Sequence, residues 1–199
     1  MTENNAWQAA YDAFQVESEA LLAARTRITA APFMRAVEAL AVAERIAASG
    51  CGHSGISCMH FAHLMCCIDR PARFIPPSEA VHGGSGFFKT GDVLVLLSRG
   101  GKTAELLPIQ AIAKAKGTAV IGITEDLSSP LAVNSDIVIP MHVTRECDRY
   151  NCQGTSSFAV SNAIFDALQT ALIEYTGFQN ERFAQSHPGG AVGERLNRK

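Results

Sequence analysis

The feature that most constrains this chain is a series of short runs that are apolar on both faces. The segments 92–98, DVLVLLS, and 118–124, TAVIGIT, are the clearest examples. Successive side chains of a β-strand point to opposite faces of the sheet, so strands of this kind have to be covered on both sides. Parallel strands between two layers of helices meet that requirement. Similar runs occur at 45–50, RIAASG, at 73–77, RFIPP, and at 136–141, DIVIPM.

Segments with helical spacing alternate with these runs. They are predicted as helices over residues 54 to about 68, 103 to 116 and 155 to about 175. In the last of them, Val160, Ile164 and Leu168 recur every fourth residue, as on the buried face of a helix. Strands that alternate with helices predict a doubly wound α/β fold, in which helices cover both faces of a parallel sheet.

Two further helices are expected at the N-terminus. Trp7, Tyr11 and Phe14 recur at helical spacing in the first of them. The second is expected to begin near Pro32, because proline suits the first turn of a helix. The first helix has these apolar residues, and the last long helix has small apolar residues. Together they offer more apolar surface than one sheet can cover. They predict a homo-oligomer with an interface at these helices.

The composition is that of one globular protein without a nucleic-acid or membrane partner. The 199 residues fit a single domain over 32–199, preceded by an N-terminal helix within 1–31. The net charge is −2 and the basic residues are scattered, so the sequence predicts no basic surface that could bind the phosphate backbone of a nucleic acid. No apolar run approaches the roughly 20 residues of a membrane span, and the polar N-terminus lacks a signal-peptide pattern. The six cysteines form no CxxC pair. We therefore expect a cytoplasmic protein with free thiols.

Polar, glycine-rich segments follow two of the predicted strands. The first strand ends in SGCGHSG at 49–55, and the third ends in SRGGKTAE at 98–105. In an open parallel sheet, ligands bind beyond the carboxyl ends of the strands, where the following helices point their N-termini. The hydroxyls of Ser54, Ser98 and Thr103 and free backbone N–H groups can donate to phosphate oxygens there. Either segment alone fits an ordinary capped turn. Two at one edge predict a phosphate site.

The segment 50–55, GCGHSG, also matches the G-x-G-x-x-G fingerprint of dinucleotide-binding proteins. That fingerprint expects an acidic residue about 20 residues later, at the end of the second strand, where it binds the ribose. The second run ends in two prolines; Asp69 precedes it and Glu79 follows the prolines. A dinucleotide site is therefore the less favoured alternative.

Five motifs extend along the chain from about residue 32. They are Gly-x-Gly-x-Ser-Gly at 50–55, EAVHG at 79–83, S-x-x-G-x-T-x-E at 98–105, TSS at 155–157 and SHPGG at 186–190. Together they resemble the SIS (sugar isomerase) domain of the D-arabinose 5-phosphate isomerase family, and SHPGG is the most specific of them. The resemblance implies a five-stranded parallel sheet and an aldose–ketose isomerase that passes through an enediol without a cofactor. It also implies a homotetramer in which one subunit lends a histidine to another.

The resemblance also implies roles for individual residues. Its phosphate-binding residues become Ser54, Ser98, Gly101 and Thr103. Its candidate catalytic residues become Glu105, Glu146 and His187. From their own positions in the loops, His53 is added to the catalytic candidates, and His82 and Lys102 are expected elsewhere in the pocket. Members often carry a C-terminal pair of cystathionine-β-synthase-type domains. Since this chain ends nine residues after Gly190, we expect a single-domain member.

Isomerisation needs a base that moves a proton between two carbons and a group that opens the sugar ring. Glu146 follows the last predicted strand, at the active edge of the sheet, and is assigned the base. His187 lies in a Pro-Gly-Gly segment without helical or core periodicity and is assigned ring opening. Glu105 also has a purely structural explanation, because acidic residues favour the first turn of a helix.

Three positions depart from the family pattern. His53 stands where the family usually has lysine, Gly100 where it has serine, and Lys102 where it has glutamate. The missing lysine motivates an alternative function, a sensor that binds a sugar phosphate without turning it over. The presence of Glu146 and His187 favours the enzyme.

His60, His63 and Cys67 fall at positions i, i+3 and i+7 of one predicted helix and could share a face, as metal ligands do. The same helix also carries Phe61 and Leu64, and thiols pack well in cores. We therefore favour core packing and expect no metal.

Overall fold

In a computed structural model, which describes residues 3–197, a five-stranded sheet lies between two layers of helices. The strands are β1 (Ile46–Gly50), β2 (Ala72–Phe74), β3 (Val93–Leu97), β4 (Ala119–Thr124) and β5 (Ile137–Pro140). The helices are α1 (Glu3–Arg25), α2 (Ala30–Val42), α3 (His53–Cys67), α4 (Pro77–Ala80), α5 (Leu107–Ala115), α6 (Pro130–Val133), α7 (Ser156–Thr176), α8 (Asn180–Ser186) and α9 (Gly190–Leu196). A 3-10 helix, Gly84–Phe87, precedes β3.

The sheet is parallel throughout, with strand order β2-β1-β3-β4-β5. The chain therefore leaves β1 toward one edge and returns to build the other side from β3 onward. This reversal makes the carboxyl ends of β1 and β3 the topological switch point, where open α/β sheets bind their ligands. The predicted doubly wound, five-stranded parallel sheet is confirmed.

Both faces of the central strands are buried, as their composition requires. On β3, Val93, Val95 and Leu97 pack into one core with residues of α2, α3 and α7, whereas Leu94 and Leu96 pack into a second core with residues of α5. Each face of the strand thus has its own layer of helices. Among the helices of residues 3–197, none is both long and apolar enough to span a bilayer. All six cysteines are free, as predicted.

Two segments differ from the prediction. The helix expected from Thr103 begins only at Leu107, so Glu105 lies in a turn before α5 and not in its first turn. Pro108 is the reason for the late start, because proline favours the first helical turn and restricts the residue before it. The C-terminal part, in which we expected no helix, forms α8 and α9, and His187 directly follows α8.

Candidate active site

The two glycine-rich loops lie next to each other, as predicted. Gly50 at the end of β1 is paired in register with Leu97 at the end of β3. The loop after β1 and the loop after β3 therefore leave the same edge of the sheet from adjacent strands. This edge is the switch point of the fold.

Backbone packing explains the glycines of the first loop. A Cβ atom at Gly50 would lie 2.8 Å from the carbonyl carbon of Ser54, and one at Gly55 would lie 2.7 Å from the carbonyl oxygen of Gly50. Gly52, with a φ of 55°, adopts a left-handed conformation that other residues rarely take. The turn and its close packing account for the G-x-G-x-x-G match without a dinucleotide. The turn also brings the first N–H groups of α3 to the sheet edge, where a helix leaves them free for a ligand.

The second loop is organised around two hydroxyls. Ser98 Oγ accepts a hydrogen bond from the Gly101 N–H at 3.1 Å and lies 2.8 Å from Thr103 Oγ1. Within residues 3–197, the backbone N–H groups of this loop that find no acceptor include those of Gly100, Lys102, Thr103 and Ala104. A row of free N–H groups beside two hydroxyls is the pattern of an anion-binding loop.

Gly101 is the residue on which the shape of this loop depends. Its φ is 63°, and a Cβ atom there would lie 2.0 Å from Ser129 Oγ and 2.8 Å from Thr124 Oγ1. Gly101→Ala is therefore expected to destabilise the protein by about 1–3 kcal/mol, because the left-handed backbone and the clash both oppose the side chain. Gly100→Ala is the matched control, since nothing lies within 4 Å of its Cβ position. Thermal unfolding measures both; equal midpoints for the two variants would contradict the account of the loop.

Two charged side chains border the second loop. Lys102 Nζ pairs with Asp126 Oδ2 at 2.9 Å and is 68% exposed, so it lies on the outer rim. Hydrogen bonds from Ser128 and Lys102 lower the pKa of Asp126 to about 2. Glu105 is exposed. The pKa of the Cys51 thiol in the first loop is raised by burial and, to a smaller extent, by the Glu105 carboxylate. Within residues 3–197 the Glu105 carboxylate makes no hydrogen bond or ion pair, and it lies in the turn that joins the second loop to α5.

Glu146 is placed very differently. Only 3% of it is exposed, and its Oε2 atom accepts hydrogen bonds from the Thr155 N–H, the Thr155 hydroxyl and the Ser157 N–H at 2.9, 3.1 and 3.1 Å. Burial raises the pKa of Glu146, but the hydrogen bonds from Ser157 and Thr155 outweigh it, so that the net direction is downward. Glu146 is therefore a buried anion that the first turn of α7 stabilises.

Arg99 connects Glu146 to the second loop. Its Nη1 atom donates to Glu146 Oε1 and its Nε atom to Glu125 Oε2, both at 2.8 Å, and Nη2 donates to the Val143 carbonyl at 3.3 Å. The guanidinium thus joins three segments: the end of β3, the end of β4 and the β5–α7 connection. It keeps the loops around the candidate site in one arrangement.

His53 is exposed and lies beside the β5–α7 connection. Its ring packs edge-on against Phe158, with centroids 5.8 Å apart. A Cβ atom at Gly154 would lie 2.5 Å from His53 Nδ1, so that only glycine leaves room for the imidazole. The loops after β1, β3 and β5 therefore meet at this edge and bring His53, Glu105 and Glu146 to one region.

Comparison with known proteins identifies the family of this chain. The SIS domain model matches residues 39–171, two thirds of the chain. The chain belongs to the SIS domain family. Arabinose 5-phosphate isomerase KdsD of Pseudomonas aeruginosa is 37% identical over 82% of this chain and 51% of its own length. Arabinose 5-phosphate isomerase GutQ of Escherichia coli K12 is 34% identical over 84% of this chain and 52% of its own length. The chain thus spans about half the length of these curated relatives.

Solved structures of SIS proteins have the same fold. A Listeria monocytogenes protein proposed to be a sugar-phosphate isomerase superposes with a TM-score of 0.92 at 35% identity, over 95% of this chain and all of its own. The c3406 protein of Escherichia coli CFT073, solved in complex with arabinose 5-phosphate, superposes with a TM-score of 0.88 at 26% identity, over 94% of this chain and all of its own.

Two predicted residues of the SIS domain make no hydrogen bond to the glycine-rich loops within residues 3–197. His82 is exposed in a turn after α4, and within residues 3–197 no hydrogen bond joins its side chain to the loops. His187 packs against Phe183, with ring centroids 3.9 Å apart, and against Cys67 at the C-terminal end of α3. Because α3 has 15 residues, its ends are roughly 20 Å apart, and His187 lies far from the glycine-rich loop that precedes α3.

Sequence reasoning missed the residues that organise the site. Arg99 lies in the second glycine-rich segment, but its partners Glu125 and Glu146 come from segments with no fixed spacing to it. Thr155 and Ser157 belong to a motif that we noted without assigning a role to it. The position of that motif, directly before the last long helix, was the available signal, because free N–H groups at a helix start stabilise carboxylates.

Proposed function

We propose that this SIS domain is an aldose–ketose isomerase that acts on a pentose 5-phosphate, with arabinose 5-phosphate as its aldose. The observation that carries the proposal is the open anion-binding loop, residues 98–104, beside a free carboxylate at the switch point of the sheet. The names of the relatives, arabinose 5-phosphate isomerases, and the sugar phosphate bound to c3406 support the substrate.

The phosphate occupies the second loop in this proposal. Ser98 and Thr103 hydroxyls, which lie 2.8 Å apart, turn from each other to the phosphate oxygens. The free backbone N–H groups of the loop and those at the start of α3, at His53 and Ser54, add donors on either side. Gly101 keeps the loop in its left-handed turn. Lys102, on the rim, contributes positive charge without direct contact.

The base that moves the proton between carbons 1 and 2 is Glu105. A base needs an accessible lone pair close to the reacting carbon and a pKa not far below the working pH. Glu105 is exposed and follows Thr103 by two residues, next to the proposed phosphate position. The sequence interpretation assigned this role to Glu146, whose oxygens are occupied by Arg99, Thr155 and Ser157 and whose pKa is lowered. These contacts favour Glu105.

Glu146 acts as a positioning residue in the same proposal. Its carboxylate binds Arg99 and the start of α7, and the β5–α7 connection in turn lies against the ring of His53. His53 stands where the family has lysine, and it contacts the hydroxyls of the sugar. A carboxylate and an imidazole can carry out all of the proton transfers.

Ring opening requires a second subunit. His187 lies at the far end of α3 from its own phosphate loop, so it can serve only the site of a neighbouring subunit, as the resemblance implies. We propose that the domain is a cytoplasmic homotetramer in which His187 is lent across an interface. His82, on the exposed surface after β2, contributes to the rim of the pocket.

The proposed assembly buries the apolar face of α1. Trp7, Tyr11 and Phe14 are 67%, 63% and 77% exposed in the single chain. Beside α1 an apolar groove of about 480 Å³ runs along α7. Light scattering at micromolar concentration is expected to give a tetramer, and Trp7→Asp with Phe14→Asp is expected to reduce the mass. A monomeric wild-type protein would contradict the assembly and the lending of His187.

A panel of ligands separates the enzyme from its alternatives. Pentose 5-phosphates are expected to raise the unfolding temperature, and NMR is expected to show aldose–ketose conversion of the best of them. Stabilisation without conversion of any phosphosugar would favour the sensor. Stabilisation by a dinucleotide but by no sugar phosphate would favour the dinucleotide-binding alternative.

A further inference from the structure

A cluster of metal-ligating side chains lies outside the candidate active site. His63 and Cys67, one turn apart on α3, meet His187 from the segment after α8. One potential ligand atom of each of the three lies within 4.8 Å of the other two. The Cys67 sulfur lies 3.5 Å from His187 Nε2. The three side chains come from two parts of the chain that are distant in sequence but adjacent in the fold.

The protein does not satisfy the His187 ring by itself. Its Nδ1 atom is buried and has no hydrogen-bond partner among residues 3–197. Its other nitrogen has only the Cys67 sulfur, a weak hydrogen-bonding group, within reach. Stacking on Phe183 holds the imidazole in this position nevertheless. A buried polar atom without a partner costs free energy, so such an atom beside a thiol and a second imidazole points to a missing ligand.

We propose that His63, Cys67 and His187 bind a divalent transition-metal ion of the Zn²⁺ class. Thiolate and imidazole ligands select such ions, whereas Mg²⁺ and Ca²⁺ take oxygen ligands. Cys67 binds as a thiolate and releases its proton to solvent. His63 is exposed, which leaves the fourth position to a water molecule. Bonds of about 2.0–2.3 Å to a shared ion need only side-chain rotation from the observed spacing.

This ligand set differs from the one that helical spacing suggested. His60 pairs with Asp166 on α7 at 3.1 Å, and it is not part of the cluster. The third ligand is His187, whose sequence distance from α3 hid it from spacing arguments. The expectation of no metal rested on the core packing of α3 and considered only ligands within that helix.

Cobalt(II) is the probe that tests the site, because a thiolate ligand gives Co²⁺ a charge-transfer absorption in the near ultraviolet. The full-length protein, treated with a chelator and then titrated with Co²⁺, is expected to bind one ion per chain with this absorption. Cys67→Ser is expected to abolish the absorption. His63→Ala, at an exposed position that leaves the fold intact, is expected to weaken binding by about 10–100-fold.

Neighbouring residues of the same types supply the controls. Cys66→Ser and His60→Ala lie on the same helix, outside the cluster, and are expected to bind Co²⁺ like the wild type. The proposal would be overturned if the wild-type protein lacked the absorption. It would also be overturned if the absorption persisted in Cys67→Ser or disappeared in Cys66→Ser. Unchanged affinity in His63→Ala would also overturn it. A His187 that binds the ion cannot at the same time open a sugar ring in a neighbouring active site, so the two roles belong to different states of the protein. The readouts do not involve turnover, so their failure would overturn the metal site and leave the proposed function untouched.

Discussion

Glu105→Gln is expected to reduce the rate of aldose–ketose conversion by about 10²–10⁴-fold, the usual contribution of a general base. Glutamine keeps the shape of the side chain but cannot accept a proton near neutral pH. Affinity for the sugar phosphate is expected to stay close to that of the wild type, because Glu105 does not belong to the phosphate loop. NMR of the reaction in D₂O gives the conversion and the exchange of solvent deuterium into the product.

Glu146→Gln is the matched comparison. It is expected to lower the unfolding temperature, because the charge that pairs with Arg99 and the start of α7 is lost. Since Glu146 acts through its neighbours, its loss is expected to slow conversion while deuterium exchange at the substrate carbon continues. The opposite pattern, with exchange abolished in Glu146→Gln and retained in Glu105→Gln, would return the role of base to Glu146.

Replacing Ser98 and Thr103 together by alanine is expected to weaken sugar-phosphate binding by roughly 10²–10⁴-fold. Each hydroxyl donates to a charged group, and a hydrogen bond of this kind contributes about 1.5–3 kcal/mol. Isothermal titration with a pentose 5-phosphate measures the loss. Thermal unfolding has to accompany it, because Ser98 also accepts from the Gly101 N–H within the loop.

Thr103→Ser is the control for the double variant. Serine keeps the hydroxyl that pairs with Ser98 and removes only a methyl group, so binding is expected to change little. Unchanged affinity in the double alanine variant would remove the second loop from the phosphate site. Equal losses in Thr103→Ser and Thr103→Ala would show that the hydroxyl is not the group that matters.

The fold could be predicted from the sequence because its determinants are local. Strands such as VLVLL at 93–97 have no polar face, and only a sheet between two helical layers accommodates them. The two glycine-rich loops were found for a similar reason, since each follows a strand directly and parallel strands place their carboxyl ends at one edge. The late start of α5 was missed although Pro108 carried the signal.

The interactions of the site could not be predicted, because they join segments with no fixed sequence spacing. Glu146 was assigned the role of base, and its partner Arg99, which lies 47 residues earlier, was not foreseen. His187 was assigned ring opening, and no spacing in the sequence predicted its contact with Cys67, 120 residues away, at the opposite end of α3. Such pairings depend on how whole elements pack, and that information is spread over the entire core.

The most direct measurement of the central claim is NMR of the wild-type protein with arabinose 5-phosphate in D₂O. The account predicts conversion to the corresponding 2-ketopentose 5-phosphate, with deuterium incorporated at carbon 1 through the enediol. The same equilibrium mixture is expected from either sugar. Conversion is expected to be lost in Glu105→Gln. An aldose that binds and stabilises the protein but remains unconverted, with no deuterium at carbon 2, would contradict the claim that this SIS domain is an isomerase.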